Sequence, residues 1–403
     1  MERKKVLFFY PRFIEEYKAL LEKEIPEAEF MICTNREEME KFAPEAEIAL
    51  VGMTFPQDLF KRMPRLEWIQ ALAAGVEGYI QNAEQFKNIP VCRITGAFGK
   101  YMAEYVLAYV LYFCQNIPRA LKAQRERRWD PFRMEFIHQK TLGVMGLGYI
   151  GKAVARKASD AGMRVVSWDM VRAEASFVER QFGSREMPAF LKEADFVVLT
   201  LPATPATKNL VGRDFFRAMK KTAYLINICR GAIVDEDALV EALTSRQIAG
   251  AVIDAMKEEP LPEKSPLWDC PNLIVTAHIS GPSLPGDMVE IFKENFRRFL
   301  RKEPLIGLID FSRGFGRMTP GTQDLPAADK KHFKGNGITG ISSREEITWG
   351  LNPGGNNLSL LQNAGRPGQI FGLFERRNTV ATTRNDSSYR EVSFRFSRSS
   401  KKF

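Results

Sequence analysis

The sequence predicts an α/β protein built from two doubly wound parallel sheets with a cleft between them, followed by a disordered C-terminal tail. Short apolar runs alternate with helical segments twice along the chain, over residues 6–95 and again over residues 141–311. A glycine-rich turn joins one of these runs to a helix, and the composition changes near residue 314. Alternation of strands and helices is typical of parallel sheets covered by helices on both faces.

The first unit contains expected strands at residues 6–10, 29–33, 48–52, 68–71 and 90–95. Helices are expected between them, at residues 13–24, 36–42 and 57–61. The fourth strand leads into a loop around Ala74 and Gly75, where small side chains let backbone N–H groups converge on an anion. A plain turn into the next helix explains the same loop, so the residues alone leave both interpretations open.

A long apolar helix is expected at residues 100–117. A helix that is apolar on nearly all sides is typically buried between domains or in a subunit interface. The stretch contains Glu104, Gln115 and Asn116, so a buried helix explains it better than a membrane span does.

The most informative motif lies at the start of the second unit. An apolar strand at residues 141–145 runs into Gly146-x-Gly148-x-x-Gly151, a helix follows, and the next strand ends at Asp169. Gly146 permits the tight turn, Gly148 leaves room for a pyrophosphate, and Gly151 lets helix and strand pack closely. The helix N-terminus offers free N–H groups to the phosphates. Together these features predict a Rossmann dinucleotide-binding unit, whereas a lone glycine motif is also compatible with a turn that binds no phosphate.

Asp169 bears on the choice of cofactor. It lies 18 residues after Gly151, where an acid can accept hydrogen bonds from the ribose hydroxyls. A carboxylate repels the 2′-phosphate of NADP, so Asp169 favours NAD. Arg172 lies three residues further on and keeps NADP open.

Polar side chains follow successive expected strands of the second unit. They are Asp169, Arg230, Asp254 and His278. Ligands of doubly wound sheets bind outside the carboxyl ends of the strands, so these side chains are predicted to face one cleft. Each also has an ordinary alternative, such as a surface ion pair for Arg230, a solvated loop acid for Glu259, or a satisfied core histidine for His278.

Composition limits the classes of function. The chain has 403 residues, enough for two or three domains, and a formal net charge of +9. Residues 314–403 contain 14 basic and 7 acidic side chains, against 44 and 42 in the rest of the chain, so the excess charge says little about what the main body binds. The five cysteines are scattered, which is typical of reduced thiols in a cytoplasmic protein and predicts no metal site and no disulfide framework. The first apolar run is too short for a signal peptide.

Four motifs resemble those of one known family. They are Gly146-x-Gly148-x-x-Gly151 with Asp169, Asn227-Ile228-Cys229-Arg230-Gly231, Asp254 with Glu258-Glu259-Pro260, and Thr276-Ala277-His278-Ile279-Ser280-Gly281. Over about residues 1–315 the chain resembles the D-isomer-specific 2-hydroxyacid dehydrogenases. Residues 73–76, 102–105 and 265–268 look most like the glyoxylate/hydroxypyruvate reductase branch of that family.

The resemblance implies a reaction and a division of the chain. The protein would use NADH, with NADPH as the second possibility, to reduce a small 2-oxo acid of the glyoxylate or hydroxypyruvate type to the D-2-hydroxy acid. A discontinuous substrate domain would comprise residues 1–98 and 288–313, with the NAD-binding domain at residues 99–287 and the tail at residues 314–403. The resemblance also implies a homodimer through the apolar helix.

The resemblance assigns three catalytic roles. Arg230 would hold the carboxylate and the carbonyl oxygen of the 2-oxo acid, His278 would donate the proton, and Glu259 would be the partner of His278. These residue types suit the reaction, because the carbonyl oxygen becomes negative as hydride arrives and preorganised positive charge lowers that barrier. Arginine stays protonated and can clamp a carboxylate with two hydrogen bonds, and histidine can donate a proton near neutral pH.

The resemblance also implies binding contacts. The N–H groups of Ala74 and Gly75 would bind the substrate carboxylate, and Asp254 would contact the nicotinamide. The full implied set of cofactor contacts is Gly146, Gly148, Tyr149, Ile150, Gly151, Asp169, Leu201, Pro202, Thr207, Ile228, Cys229, Arg230, Asp254, His278 and Gly281. Two positions depart from the family pattern: Ala277 stands where a proline usually precedes the histidine, and Glu77 replaces a common aspartate.

Two alternatives concern function beyond catalysis. An NAD(H)-sensing binding protein of the transcriptional corepressor type shares this fold and can resemble the enzymes at the catalytic positions. The tail is rich in Gly, Asn, Ser, Thr and Arg, which predicts disorder, although residues 392–396 alternate like a short strand. Binding of nucleic acid is expected, if at all, only through this basic tail, and no membrane association is expected.

Overall fold

The computed structural model describes residues 3–311, together with the backbone of five later strands. These strands are Phe315–Gly316, Trp349–Leu351, Leu358–Leu360, Ala381–Asp386 and Tyr389–Phe394. The chain divides into two compact units, Met1–Asp329 and Lys330–Phe403. Both parallel sheets lie in the first unit.

The first sheet has five parallel strands. They are β1 (Lys4–Phe9), β2 (Ala28–Cys33), β3 (Ile48–Val51), β4 (Trp68–Ala71) and β5 (Val91–Cys92), and the helices between them are α1 (Ile14–Glu24), α2 (Arg36–Phe42) and α3 (Glu77–Gln81). Their spatial order is β2-β1-β3-β4-β5, so the strand order reverses between β1 and β3. Strands β3 and β4 are buried at every residue, which explains their apolar sequences.

The second sheet has seven parallel strands in the order β12-β11-β10-β9-β6-β7-β8. They are β6 (Thr141–Met145), β7 (Arg164–Trp168), β8 (Arg180–Phe182), β9 (Phe196–Leu199), β10 (Tyr224–Asn227), β11 (Gly250–Ile253) and β12 (Leu273–Val275). The helices that follow its strands are α6 (Tyr149–Asp160), α7 (Met187–Glu193), α8 (Arg213–Ala218) and α9 (Glu236–Thr244). In both sheets the strand order reverses once, which confirms the doubly wound parallel architecture that the sequence predicts.

Three further helices complete the cores: α4 (Gly99–Cys114), α5 (Ile117–Arg125) and α10 (Pro285–Leu300), and a short strand β13 (Ile309–Asp310) follows them. Helix α4 packs on the second sheet, where Phe113 stacks on Tyr224 at a centroid distance of 4.2 Å. Helix α10 packs instead on the first sheet, because Trp68 stacks on Phe292 at 5.3 Å and on Phe299 at 5.5 Å. The chain therefore returns to the first sheet after completing the second.

Several element boundaries differ from the sequence-based expectations. The long apolar helix ends at Cys114 rather than at residue 117, because Asn116 takes a left-handed conformation with φ 48° and begins α5. The last strand of the first sheet is only Val91–Cys92, shorter than the expected residues 90–95. The helix expected at residues 57–61 is a 3₁₀ helix, Gln57–Arg62, and β8 has no counterpart among the expected strands.

The later strands pair antiparallel. Ile309–Asp310 pairs with Phe315–Gly316, and the other four form a sheet within the second unit. The strand expected at residues 392–396 overlaps Tyr389–Phe394. The rest of the tail lies outside the described residues, so its expected disorder and its nucleic-acid binding stay predictions. Across the part of the chain that the structure describes, the helices are too short or too polar to cross a membrane.

Candidate active site

The predicted polar residues meet at the carboxyl ends of neighbouring strands. Arg230 follows β10, Asp254 follows β11, and His278 follows β12, and these three strands are adjacent in the second sheet. Asn227, the last residue of β10, is fully buried and accepts a hydrogen bond from Cys229 N at 3.1 Å. Its Nδ2 donates to the carbonyl of Arg230 at 3.3 Å, which fixes the turn that carries the arginine.

His278 and Glu259 form a hydrogen-bonded pair. The distance from His278 Nδ1 to Glu259 Oε2 is 2.8 Å, and both side chains are partly open to solvent. The other carboxylate oxygen, Glu259 Oε1, accepts from Met256 N at 3.0 Å and thereby fixes the glutamate. A carboxylate at Nδ1 holds that nitrogen protonated, so Nε2 is the nitrogen left to exchange a proton with a ligand.

Asp254 is the centre of a buried network. Its side chain is 1% exposed and accepts hydrogen bonds from Thr276 Oγ1 at 2.5 Å, Ile279 N at 2.8 Å and Ser280 N at 2.9 Å. The hydroxyl of Tyr105 on α4 extends the network to Thr276 at 2.6 Å. Burial raises the pKa of Tyr105, so the phenol stays protonated and can donate. The network therefore ties the loop after β12 to α4.

This network explains the backbone of His278. The residue lies in the left-handed region with φ 52°, a conformation that costs a non-glycine residue about 1 kcal/mol or more. His278 N donates to the carbonyl of Asp254 at 2.9 Å, and the two following N–H groups bind the Asp254 carboxylate. Three hydrogen bonds to one residue thus hold the histidine in a strained position.

Arg230 reaches across to the first sheet. Its Nε donates to Glu77 Oε1 at 2.8 Å, and its Nη1 donates to the carbonyl of Cys229 at 2.7 Å. A Cβ added to Gly75 would lie 2.1 Å from Arg230 Nη2, so only glycine lets the guanidinium approach this loop. The loop predicted to bind an anion and the predicted arginine are therefore in contact.

The glycine motif has the geometry of a dinucleotide cradle. Gly146 has φ 98°, and a Cβ on Gly151 would lie 1.8 Å from the Gly146 carbonyl oxygen, so both positions require glycine. A Cβ on Gly148 would meet nothing within 4 Å, which leaves open space at the N-terminus of α6. Asp169 Oδ2 accepts from Leu147 N at 2.7 Å, which places the acid beside the same turn. These residues fit the phosphates and ribose of NAD(P).

The remaining predicted contacts lie around this cradle. Leu201, Ile228 and Cys229 are buried, and burial raises the pKa of the Cys229 thiol to about 11, which keeps it protonated. The Thr207 hydroxyl binds the Pro202 carbonyl at 2.7 Å and Thr204 N at 2.8 Å and so fixes that turn. The other positions in this group are Tyr149, whose hydroxyl donates to the Gly96 carbonyl, the partly buried Ile150 and Ala74, and Gly281, which faces Met102.

Sequence reasoning misses several polar residues of this region. The apolar patterns place Tyr105 and Thr276 inside a helix and a strand, and their link to Asp254 requires the fold to bring them together. The expected strand at residues 90–95 includes Arg93 and Thr95, yet both lie beyond β5 and beside the loop of Ala73, whose carbonyl accepts from Ile94 N at 2.9 Å. A polar pair at the end of a strand, spaced two residues apart, is the signal that could identify them.

The chain is similar to known proteins of one family. The family description "D-isomer specific 2-hydroxyacid dehydrogenase, NAD binding domain" matches residues 107–280. A glyoxylate/hydroxypyruvate reductase A from Photorhabdus laumondii is 31% identical over 270 residues, which are 64% of this chain and 85% of that protein. A D-isomer specific 2-hydroxyacid dehydrogenase family protein from Aeromonas salmonicida has a TM-score of 0.73 and 31% identity, covering 77% of this chain and all of that one.

A third similar protein bears on the cofactor. The NADPH-dependent glyoxylate/hydroxypyruvate reductase from Sinorhizobium meliloti, solved with NADP and sulfate, has a TM-score of 0.71 and 26% identity. The match covers 78% of this chain and all of that one.

The chain is an NAD(P)-dependent oxidoreductase that acts on a CH–OH group. Its glycine cradle and its His278–Glu259 pair at neighbouring strand ends fit that class. The chain belongs to the D-isomer specific 2-hydroxyacid dehydrogenase family, in the branch of the glyoxylate/hydroxypyruvate reductases. The reductases among these relatives support reduction of a 2-oxo acid and do not favour the corepressor alternative.

Proposed function

We propose that this protein reduces glyoxylate, hydroxypyruvate or a similarly small 2-oxo acid to the D-2-hydroxy acid, with NADH as its preferred cofactor. The observation that supports this most directly is the His278–Glu259 pair at 2.8 Å, on the same sheet edge as an arginine that touches the Gly75 loop. These are the groups that protonate a carbonyl oxygen and hold a carboxylate.

Each residue has a part in the reaction. When bound, NADH would supply the hydride. His278 donates the proton to the carbonyl oxygen from Nε2, while Glu259 holds the ring at Nδ1. Arg230 binds the carboxylate and the carbonyl oxygen and stabilises the negative charge that develops there. The N–H groups of Ala74 and Gly75 bind the other side of the carboxylate.

The domain division supports a cleft site. We place residues 1–98 and 288–313 in a substrate domain and residues 99–287 in an NAD-binding domain. The return of α10 to the first sheet supports the discontinuous first domain. In this arrangement the Arg230–Glu77 hydrogen bond joins the two domains across the cleft.

A homodimer is the assembly we propose. Helix α5 and the segment after it carry exposed apolar side chains, including Leu121, Trp129 and Phe136, with Trp129 95% exposed. An apolar surface of this kind is typical of an interaction site. Light scattering coupled to gel filtration tests the assembly, and a monomer at micromolar concentration would contradict it. A cytoplasmic location is supported by five buried free cysteines.

The decisive experiment follows the loss of NADH absorbance with glyoxylate, hydroxypyruvate, pyruvate and phenylpyruvate. We expect turnover with glyoxylate and hydroxypyruvate, and a loss of about 10²-fold or more in kcat for His278→Ala. His138→Ala is the matched control, because His138 stacks on Phe136 away from the site. Turnover that survives in His278→Ala would show that another group donates the proton.

The cofactor preference has its own test. Asp169 lies beside the glycine turn, where its charge opposes a 2′-phosphate. We expect Asp169→Ser to raise the ratio of kcat/KM for NADPH over NADH by about 10- to 100-fold. Glu174→Ser, in the same exposed loop, serves as the control. A wild-type enzyme that already prefers NADPH would overturn the proposal.

A further inference from the structure

Arg93 is a second arginine at the same edge. It follows β5 directly and is only partly exposed, and its Nε is buried without a hydrogen-bonding partner within residues 3–311. A buried guanidinium is costly unless an anion or a hydrogen-bond acceptor pairs with it. The question is therefore what pairs with Arg93.

Backbone contacts fix where Arg93 lies. Its N–H donates to the Gly307 carbonyl at 2.9 Å, and the next N–H, of Ile94, donates to the Ala73 carbonyl at 2.9 Å. The segment therefore runs beside the loop of Ala73 to Gly75, which is the loop that contacts the Arg230 guanidinium.

The electrostatics agrees with the backbone contacts that bring the two arginines to one region. Burial and the like charge of Arg230 lower the pKa of Arg93, and the negative charge of Glu77 acts in the opposite direction. Both guanidinium groups remain protonated at neutral pH, because arginine does not deprotonate in proteins. Glu77 already accepts a hydrogen bond from Arg230 at 2.8 Å.

The three groups together carry one excess positive charge. Two guanidinium charges and a single carboxylate charge act on one another here, so one monoanion balances the cluster. A 2-oxo acid brings one carboxylate, with lone pairs on both oxygens for donors on two sides. Thr95 lies two residues further on, and within residues 3–311 its Oγ1 is likewise buried without a partner, so this edge has a second free donor.

We propose that Arg93 is a second substrate-binding arginine, which holds the carboxylate of the 2-oxo acid together with Arg230. This inference rests on the proposed function and names a further contact for the same substrate. Arg230 also reaches the carbonyl oxygen, whereas Arg93 acts on the carboxylate alone. The two arginines therefore differ in what their loss does to the kinetics.

The test compares Arg93→Met with Arg230→Met in steady-state reduction of glyoxylate at saturating NADH. We expect Arg93→Met to raise KM by about 10- to 100-fold, since a hydrogen bond to a charged group is lost, and to change kcat by less than about threefold. Arg230→Met is expected to lower kcat as well. Arg93→Lys should recover part of the affinity, because lysine keeps the charge but loses the planar fork.

A binding measurement separates substrate affinity from turnover. Oxamate, an unreactive 2-oxo monocarboxylate, is titrated into each protein with NADH bound, and NADH fluorescence reports its binding. We expect Arg93→Met to weaken oxamate by about 10- to 100-fold while the affinity for NADH alone stays within about twofold. Arg62→Met is the control, because Arg62 is exposed and pairs with Glu40 at 3.3 Å.

The outcomes distinguish this inference from the proposed function. If wild-type protein reduces none of the 2-oxo acids, both the proposed function and the role of Arg93 are wrong. If wild-type protein reduces glyoxylate and Arg93→Met leaves both KM and oxamate affinity within about twofold of wild type, only the role of Arg93 is wrong. If Arg93→Met fails to fold, Arg93→Lys decides, and an unchanged KM in that variant overturns the role.

Discussion

The two sheet edges that face the site differ in how their polar atoms are satisfied. On the edge of the second sheet, the Asp254 carboxylate accepts three hydrogen bonds and Asn227 fixes the turn before Arg230. On the edge of the first sheet, Arg93 Nε and Thr95 Oγ1 are buried without partners among the described residues, as is Gln57 Oε1 beside α3. Around Arg230 and His278 the second sheet thus supplies a fully hydrogen-bonded frame, whereas Ser167 Oγ and Trp168 Nε1 at the end of β7 lack partners among the described residues. The first sheet supplies polar groups beside the Gly75 loop that a ligand can complete.

The largest effect that tests this comparison concerns Asp254. Asp254→Ala would remove the acceptor of the Thr276 hydroxyl and of the Ile279 and Ser280 N–H groups, in the protein interior. We expect it to lower the free energy of unfolding by about 3 kcal/mol or more, measured by urea denaturation. Asp214→Ala, which removes a carboxylate that is 95% exposed, should change stability by less than about 0.5 kcal/mol. Similar losses in both variants would mean that the network does not stabilise the fold.

A smaller effect contrasts the same substitution on the two edges. Thr276→Val removes a hydroxyl bonded to both Asp254 and Tyr105, and we expect a loss of about 1–2 kcal/mol. Thr95→Val removes a buried hydroxyl that lacks a partner within residues 3–311, so the free protein should keep its stability within about 0.5 kcal/mol or gain slightly. Urea denaturation of both variants without ligand gives the answer. If Thr276→Val and Thr95→Val lowered the free energy of unfolding equally, the two sheet edges would not differ in how their hydroxyls are bonded.

The smallest effect on stability is expected at Gly148. Its Cβ position is open and its backbone is extended, with φ −68° and ψ −170°. Alanine is a poorer N-cap than glycine but loses less entropy on folding, so Gly148→Ala should change the free energy of unfolding by only a few tenths of a kcal/mol. The added methyl occupies the space for the pyrophosphate, and we expect NADH affinity, followed by fluorescence, to fall by about tenfold or more. Gly286→Ala adds a methyl to equally open space on α10 and should leave NADH affinity unchanged. An unchanged affinity in Gly148→Ala would mean that the phosphates bind elsewhere.

The fold is predictable from the sequence because its signals are local. Apolar runs, the glycine motif and the acid at Asp169 each depend on residues close in the chain, and the two doubly wound sheets follow from them. The pair of His278 and Glu259 is also accessible, since both lie in recognisable motifs 19 residues apart.

The features that the sequence does not reveal depend on contacts between distant residues. Tyr105 reaches Thr276 across 171 positions, and Glu77 reaches Arg230 across 153. The hydrophobic periodicity of a sequence contains no information about such distant pairs. The sequence does not single out Arg93 for a related reason. Residues 90–95 have the composition of a strand, yet the hydrogen-bonded strand ends at Cys92, and Arg93 lies beyond it.

The position of α10 has a consequence for synthesis on the ribosome. Trp68 is fully buried against Phe292 and Phe299, which emerge more than two hundred residues later. At roughly 5–20 residues per second, that delay is on the order of 10–40 s. During this interval the face of the first sheet that α10 later covers carries α1, whose Tyr17 packs on Phe8, but Trp68 on β4 lacks its two aromatic partners. The last strand of the second sheet, β12, emerges before α10 does. We therefore expect the second sheet to be complete before the first, and the uncovered surface around Trp68 to need chaperone protection until α10 arrives.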